Sequence, residues 1–403
     1  MHLNCMPKLR KILKFKNLIC LTIILLLLNY FGAFTHLFER DFYSDFKYPM
    51  EGEVLKYARQ LRNAKVPSVQ PINNNYNFSL ILNPDIKCLD GDRPLRPRLV
   101  ILVKSALDHF ENRHVIRQSW GYEKRFSDVI IRTVFLLGVP NTKEMTELSA
   151  KIKLEAEKYK DIVQGNFSDS YFNNTIKTII GMKWAVTQCS YGKFYLFVDD
   201  DYYVSIKNVL LFIRNPINYP EYLEDAHEVM RRRLSSTHKY DRKYSYDILL
   251  NNGLLLNETS SRRHTRKVLE YELADEVRLF TGYVFTSSPH RHKSSKWYTP
   301  LSEYPWHLWP TYVTSGAYIL SREALQDMYF CSFYTKHFRF DDIFLGLVAM
   351  KAHIEPLHSE QFYFNRAPYT SPHSYKYIIA SHGYTKPKDM VNIWTQVRSA
   401  GYA

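Results

Sequence analysis

The chain has 403 residues, with 54 Lys+Arg against 40 Asp+Glu and a formal net charge of +14. Hydrophobic residues at 45% and aromatics at 15% exclude a disordered chain, and 14 Gly with 18 Pro exclude a collagen-like one. Such a basic balance suits nucleic acid, an anionic membrane or a phosphate-bearing ligand, so the position of the charge matters more than its sum.

Residues 1–36 hold five Lys/Arg and no acid, and residues 37–95 hold eight of each sign. Residues 96–218 hold 18 positive and 13 negative, 219–280 hold 11 of each, and 281–403 hold 12 positive and eight negative. No basic patch interleaved with aromatics is present, which argues against nucleic acid as a partner.

Lys8, Arg10, Lys11, Lys14 and Lys16 precede an apolar run from Leu18 to Phe34, with Glu39, Asp41 and Asp45 after it. Seventeen residues is the short end of a membrane span. The flanking charges orient it with residues 1–17 cytoplasmic. No small-x-small cleavage site follows, so residues 18–34 read as an uncleaved type II signal anchor with the remainder lumenal. A short span suits the thinner membranes of the early secretory pathway.

Sequons at Asn77, Asn166, Asn173 and Asn257 are candidate N-glycosylation sites in a lumenal chain. Cys88, Cys189 and Cys331 allow at most one disulfide, with the pairing open, and Cys5 and Cys20 lie near the membrane as weak palmitoylation candidates.

Residues 35–95 read as a lumenal stem, because Lys65–Asn77 is rich in Pro and Asn and lacks periodicity. A catalytic domain is predicted over 96–403. Strands are expected at Arg98–Lys104, Ile130–Leu137 and Lys193–Val198, and helices at Arg113–Trp120, Lys143–Lys160 and Asn173–Tyr191. This alternation implies an α/β fold with a mostly parallel sheet whose ligands bind at the carboxyl ends of the strands. Residues 219–275 are charge-balanced, without a core pattern, and read as an insertion.

Asp199-Asp200-Asp201 ends an apolar strand. Three adjacent carboxylates there are unfavourable unless a cation or donors compensate them, and a hard divalent ion would do so. A solvated acidic turn is the plainer alternative. Asp341-Asp342 opens an apolar helical run; this is ordinary capping, or a carboxylate kept ionised to take a proton. Trp297, Trp306 and Trp309 lie in an aromatic loop that suits sugar stacking or, equally, core packing, and Ser315-Gly316-Ala317 follows it. His382 ends a strand-like run.

These residues fall into blocks. Arg113-His-Val-Ile-Arg117-Gln-Ser-Trp120-Gly121, Val134–Gly138, Asp169-Ser-Tyr171-Phe-Asn173-Asn-Thr175-Ile-Lys177-Thr178, Phe197–Asp201, Tyr304-Pro305 through Ser315–Tyr318 and Phe340–Gly346 stand in order over about 300 residues. Together they resemble the β-1,3-glycosyltransferases, which include galactosyl- and N-acetylglucosaminyltransferases.

The resemblance implies a GT-A-type nucleotide-sugar transferase fold, a single catalytic domain on its anchor in the Golgi membrane, and inverting transfer from a UDP-sugar. It assigns manganese to Asp201 and His382, the catalytic base to Asp342, and donor binding to Asp199, Asp200, Arg113, Arg117 and Lys177. Acceptor binding falls to Trp297, Trp306, Trp309, Ser315, Gly316, Ala317 and Asp341.

A closer likeness within the family, carried by Gly121–Asp128, Leu196–Val204 and Arg398–Ala403, implies UDP-N-acetylglucosamine as donor and a β-mannosyl glycolipid, mannosyl-glucosylceramide, as acceptor. Galactosyl or N-acetylgalactosaminyl transfer to a glycolipid or glycoprotein is the alternative, ahead of a metal-dependent phosphohydrolase or a non-catalytic lectin. Asp341 replaces the family's usual Glu and leaves the base untouched. Ala317 replaces a Gly, which implies a narrower pocket.

Overall fold

The protein is described from a computed structural model, over residues 6–49, 52–71, 76, 78–140, 146–224 and 273–403, with side chains from residue 17 onward. Most of the expected 219–275 insertion, together with Asn77 and Asn257, lies outside the described residues.

Two units are formed: Met1–Tyr48 with Thr286–Pro310, and Pro49–Phe285 with Thr311–Ala403. The first carries helix α1 (Met6–Tyr30), the short helix α2 (Phe42–Asp45) and the aromatic loop. Helix α1 ends at Tyr30, short of the Phe34 expected to close the apolar span, and the chain turns on Gly32 at φ +83°. Among the described residues no helix is long and apolar enough to cross a membrane.

The larger unit is a mixed α/β domain. In chain order its elements begin with α3 (Val54–Arg62), β1 (Leu80–Leu82), the β2–β3 ribbon (Leu89–Asp90 with Arg93–Pro94), β4 (Leu99–Lys104) and α4 (Phe110–Gln118). Next come β5 (Ile131–Val139), α5 (Thr146–Tyr159), β6 (Ile162–Ser168), α6 (Asn174–Gln188), β7 (Phe194–Asp199), β8 (Tyr203–Val204) and α7 (Ile206–Phe212). After the undescribed stretch come β9 (Phe280–Phe285), β10 (Tyr312–Ser321), α8 (Arg322–Ser332) and α9 (Asp341–Lys351). The unit ends with β11 (Leu357–His358), β12 (Phe362–Tyr363), β13 (Ala380–Ser381) and α10 (Pro387–Ser399).

The main sheet runs β1-β6-β5-β4-β7-β10-β9-β11. Its centre, β6-β5-β4-β7, is parallel as expected, whereas β10 pairs antiparallel with both β7 and β9, so the sheet is mixed. The apolar runs of β4 and β7 are buried throughout apart from Asp199, as strands covered on both faces must be. Helix α6 comes close to the sheet because Gly181 has no side chain: a Cβ there would lie 2.5 Å from Leu136 Cδ1. A second sheet, β12-β13-β8, joins the chain just after Asp201 to the chain just before His382.

The segment expected as a stem is largely part of this unit. Strand β1 adds an antiparallel edge to β6, Cys88 forms a disulfide with Cys189, and Cys331 is free and buried. Helix α3 docks on α8 by ion pairs: Arg59 to Asp327 at 2.8 Å, and Arg62 to Asp327 at 3.2 Å and Glu323 at 2.8 Å. For the described residues, long-range pairing supplies the partners that local periodicity lacks.

Asp327→Asn would strip the carboxylate from beneath two arginines. The half-exposed position of Arg59 screens part of the loss, so the unfolding free energy is expected to fall by about 2 kcal/mol. A denaturant midpoint unchanged from wild type would show that α3 is not held by this cluster.

Candidate active site

The carboxyl ends of β4 and β7 lie side by side, with Lys104 paired to Asp199 in register. Lys104 is almost fully buried, and its Nζ lies 3.0 Å from Asp199 Oδ1, 2.9 Å from Asp341 Oδ2 and 2.8 Å from the Ser315 carbonyl. Burial opposes its charge, but the Asp199 and Asp341 carboxylates outweigh that and hold its pKa well above the ordinary value. Thr178 Oγ1 also donates to Asp341 Oδ2, at 3.4 Å.

The three adjacent aspartates therefore have different partners. Asp199 pairs with Lys104, though burial still pushes it up to about 7. Asp200 turns the other way: Ser105 Oγ donates to its Oδ2 at 2.6 Å, and His109 Nδ1 lies 3.0 Å from the same oxygen.

Asp201 points to His382, whose Nε2 lies 3.0 Å from Oδ2. The β8–β13 pairing, closed by the Tyr384 amide donating to the Asp201 carbonyl at 2.9 Å, brings these residues together. Asp201 Oδ1 is buried with no hydrogen-bond partner.

Asp342 opens α9. Its Oδ1 accepts from the Ile343 amide at 2.8 Å. Burial first, then the neighbouring Asp341 charge, push its pKa up to about 7, although the Ile343 amide works the other way. Such a carboxyl is poised to exchange a proton near neutrality.

The cations expected to line the donor are spent inside the protein. Arg113 is fully buried, donates to the Ala106 and Leu107 carbonyls at 2.6 and 3.3 Å and pairs with Glu155 at 2.8 Å. Arg117 bridges Glu155 and Asp161 at 2.7 Å each. Lys177 donates to the Ser105 carbonyl at 2.8 Å and pairs with Asp169 at 2.8 Å. Arg113 and Lys177 brace the 105–107 turn after β4, where they act on the site through Ser105 and Asp200, and Arg117 holds Glu155 for Arg113. A buried guanidinium keeps its place only where acceptors surround it, and this turn provides them.

The expected acceptor residues divide in the same way. Asp341 is turned toward Lys104, and Ala317 is a core residue paired with Val198, so its methyl group lies in the core rather than in a pocket. Gly316 makes room for Tyr202: a Cβ there would sit 2.1 Å from the tyrosine oxygen. Ser315 contributes its carbonyl to Lys104. Trp297, Trp306 and Trp309 belong to the other unit, where Trp306 and Trp309 are buried against Phe46 and Tyr304, so core packing accounts for both. Trp297 is 49% exposed.

Among the sequons, Asn166 is exposed on β6. Asn173 instead spends its amide on the Ser168 carbonyl at 2.8 Å, beside a buried Thr175.

Lys104, Ser105 and His109 had not been singled out in the sequence. Their one signal was a lysine ending an otherwise apolar strand, a position that requires a buried counter-charge.

Strand ends that neutralise some carboxylates and leave others presented, with a raised-pKa carboxyl at a helix start, can exchange a proton with a bound molecule. The chain belongs to the galactosyltransferase family, whose family model matches residues 111–253 and 263–360. It is 39% identical over 387 residues to the β-1,3-galactosyltransferase brn of Drosophila melanogaster, covering 95% of this chain and 97% of that one. It is 28% identical over 330 residues to β-1,3-galactosyltransferase 1 of Mus musculus and of Homo sapiens, covering 82% of this chain and 81% of theirs. The protein is a β-1,3-glycosyltransferase that acts on a sugar donor and an acceptor. The matched ranges include residues 219–253 and 263–275 of the stretch read as an insertion.

Lys104→Met would leave two carboxylates buried without their cation. A loss of about 3–5 kcal/mol in stability is expected, with a fall in turnover of at least about a hundredfold. Near-wild-type melting and rate would remove Lys104 from the centre of the site.

Proposed function

We propose that the protein is an inverting β-1,3-N-acetylglucosaminyltransferase of GT-A type. It moves the sugar from UDP-N-acetylglucosamine to a β-mannosyl residue of a glycolipid such as mannosyl-glucosylceramide, while anchored by its N-terminus in the Golgi membrane. The observation that carries the transfer chemistry is the provision of an Asp201–His382 pair and a separate, proton-exchanging Asp342 in one unit. The donor and acceptor rest on the likeness of Gly121–Asp128 and Leu196–Val204 to one branch of the family. Galactosyl transfer is the second reading, favoured by the names of the relatives.

The residues fit a manganese ion. Asp201 Oδ1 is a buried carboxylate oxygen lacking a partner, and His382 Nε2 lies beside the other oxygen. Among the described residues no group of three or more His, Cys, Asp or Glu could hold a metal, and Asp201 and His382 are the residues that would hold it. When bound, the ion supplies Lewis-acid stabilisation of the charge that develops on the departing diphosphate.

Asp342 takes the proton from the acceptor hydroxyl on Oδ2 while the Ile343 amide holds Oδ1. The acceptor oxygen forms its bond to the anomeric carbon from the face opposite UDP. The bond to the diphosphate oxygen breaks with its electron pair going to UDP, and the anomeric configuration inverts. No covalent nucleophile is required. Lys104 fixes Asp341, and so the start of α9, while leaving Asp342 to the acceptor.

Asp342→Asn is expected to lower kcat by about a thousandfold while donor binding persists. In the wild type the rate should fall on the acid side of about 7, where Asp342 carries its proton, and level off above it. The variant's residual rate should lack that limb. Turnover equal to wild type would remove the base from Asp342.

With manganese present, UDP release from UDP-N-acetylglucosamine onto a β-mannosyl acceptor should exceed that from UDP-galactose or UDP-N-acetylgalactosamine, and a chelator should abolish it. A clear preference for UDP-galactose would overturn the donor and leave the family standing. Activity unaffected by chelation would overturn the metal.

A further inference from the structure

The unit made of Met1–Tyr48 and Thr286–Pro310 has a tightly built interior. Arg291 is fully buried at its side chain; Nε donates to Glu39 Oε1 at 2.7 Å, Nη1 to the Thr299 carbonyl at 2.7 Å, and Nη2 to the Tyr304 and Trp306 carbonyls at 2.9 Å. The Arg40 amide donates to the Pro305 carbonyl at 2.9 Å, and the Trp306 indole donates to the Asp45 carbonyl at 2.8 Å. The Lys293 amide donates to the carbonyl of Tyr30, the last residue of α1, at 3.0 Å. A Cβ on Gly32 would lie 2.7 Å from the Arg291 carbonyl oxygen, so the loop is pressed against the turn that ends α1. A buried guanidinium with a near-complete set of acceptors is the kind of fixing that a loop needs to hold one shape.

Several large apolar side chains face outward. The exposed residues of α1 are followed by Phe31 at 59% exposure, Leu37 at 76%, Phe38 at 72% and Tyr43 at 79%, interleaved with exposed His36, Arg40 and Asp41. Trp297, in the clamped loop, is half exposed, and Lys293 and Lys296 share that loop. Large apolar side chains held outward on a rigid support mark an interaction surface. Phe, Leu, Tyr and Trp mixed with lysine at the end of an apolar helix match the headgroup boundary of a bilayer, where the ring or chain is buried and the ammonium meets anionic lipid.

We propose that this unit is a membrane collar: Phe31–Tyr43 and the Arg291-clamped loop lie in the headgroup region of an anionic bilayer. The proposal rests on the membrane-anchor reading given above. The collar joins the catalytic unit through three chain positions, after Tyr48, Phe285 and Pro310, where a simple stalk would have one. A surface seated at the bilayer raises the effective concentration of an acceptor held in that plane.

The full chain would be reconstituted into phosphatidylserine-containing vesicles with a photoactivatable, headgroup-proximal lipid, and labelled peptides mapped by mass spectrometry. Labelling of residues 31–43 and 290–298 together with α1 is expected. Labelling of α1 alone would overturn the collar and leave the anchor standing. Labelling of the collar without α1 would support the collar and overturn the anchor. No labelling of either would overturn both.

Independently, the Leu37→Glu/Phe38→Glu double variant should lose about tenfold in turnover of a vesicle-embedded glycolipid relative to a water-soluble acceptor bearing the same sugar. An equal change on both acceptors would overturn the collar.

Discussion

The site depends on one buried ammonium. Lys104 ends β4 and reaches the end of β7 at Asp199, the start of α9 at Asp341 and the β10 backbone at Ser315. Inside a protein an unpaired charge is prohibitive, so these elements are stable only together. The same ion cluster determines which carboxylates are left to do chemistry. Of five aspartates near the sheet edge, Asp199 and Asp341 are neutralised by Lys104 and Asp200 is tied to Ser105 and His109. Asp201 and Asp342 remain, one beside His382 and the other at a helix start. One site thus offers two carboxylates with different surroundings.

A second set of charges supports the first. Arg113 and Arg117, four residues apart on α4, share Glu155, and Arg113 donates to the carbonyls of the 105–107 turn. Lys177 takes the Ser105 carbonyl from α6. Cations near such a site invite assignment to the donor, yet Arg113 and Lys177 act on the backbone around Ser105, and Arg117 holds the Glu155 that Arg113 shares. The overall charge of +14 is a poor guide for the same reason. Five positive charges lie in the first half of α1, ahead of its apolar run, and several of those in the catalytic unit are consumed in ion pairs.

The two units divide the aromatic residues by purpose. In the catalytic unit, Tyr202 lies over Gly316 and near His382, with ring centroids 5.1 Å apart, and helps shape the site. In the other, Tyr304, Trp306 and Trp309 form a small core around a buried arginine, while neighbouring apolar groups face outward. Its interior rigidity is what gives the outward face a fixed form.

What the sequence determined alone is local. Continuous apolar runs announced β4, β5 and β7, spacing announced α4, α5 and α6, and an acidic triplet at a strand end marked the sheet edge, because burial and helical or extended geometry act over a few residues. Block order identified the family. Partnership lay beyond it. That Arg113 faces Glu155, that Asp200 turns from Asp201, and that a segment resembling a stem supplies β1 and a disulfided Cys88 are facts about residues brought together from distant parts of the chain. A side chain's chemistry is written in its type, but its electrostatic task is set by what the fold places within about 3 Å of it, and only tertiary structure decides that.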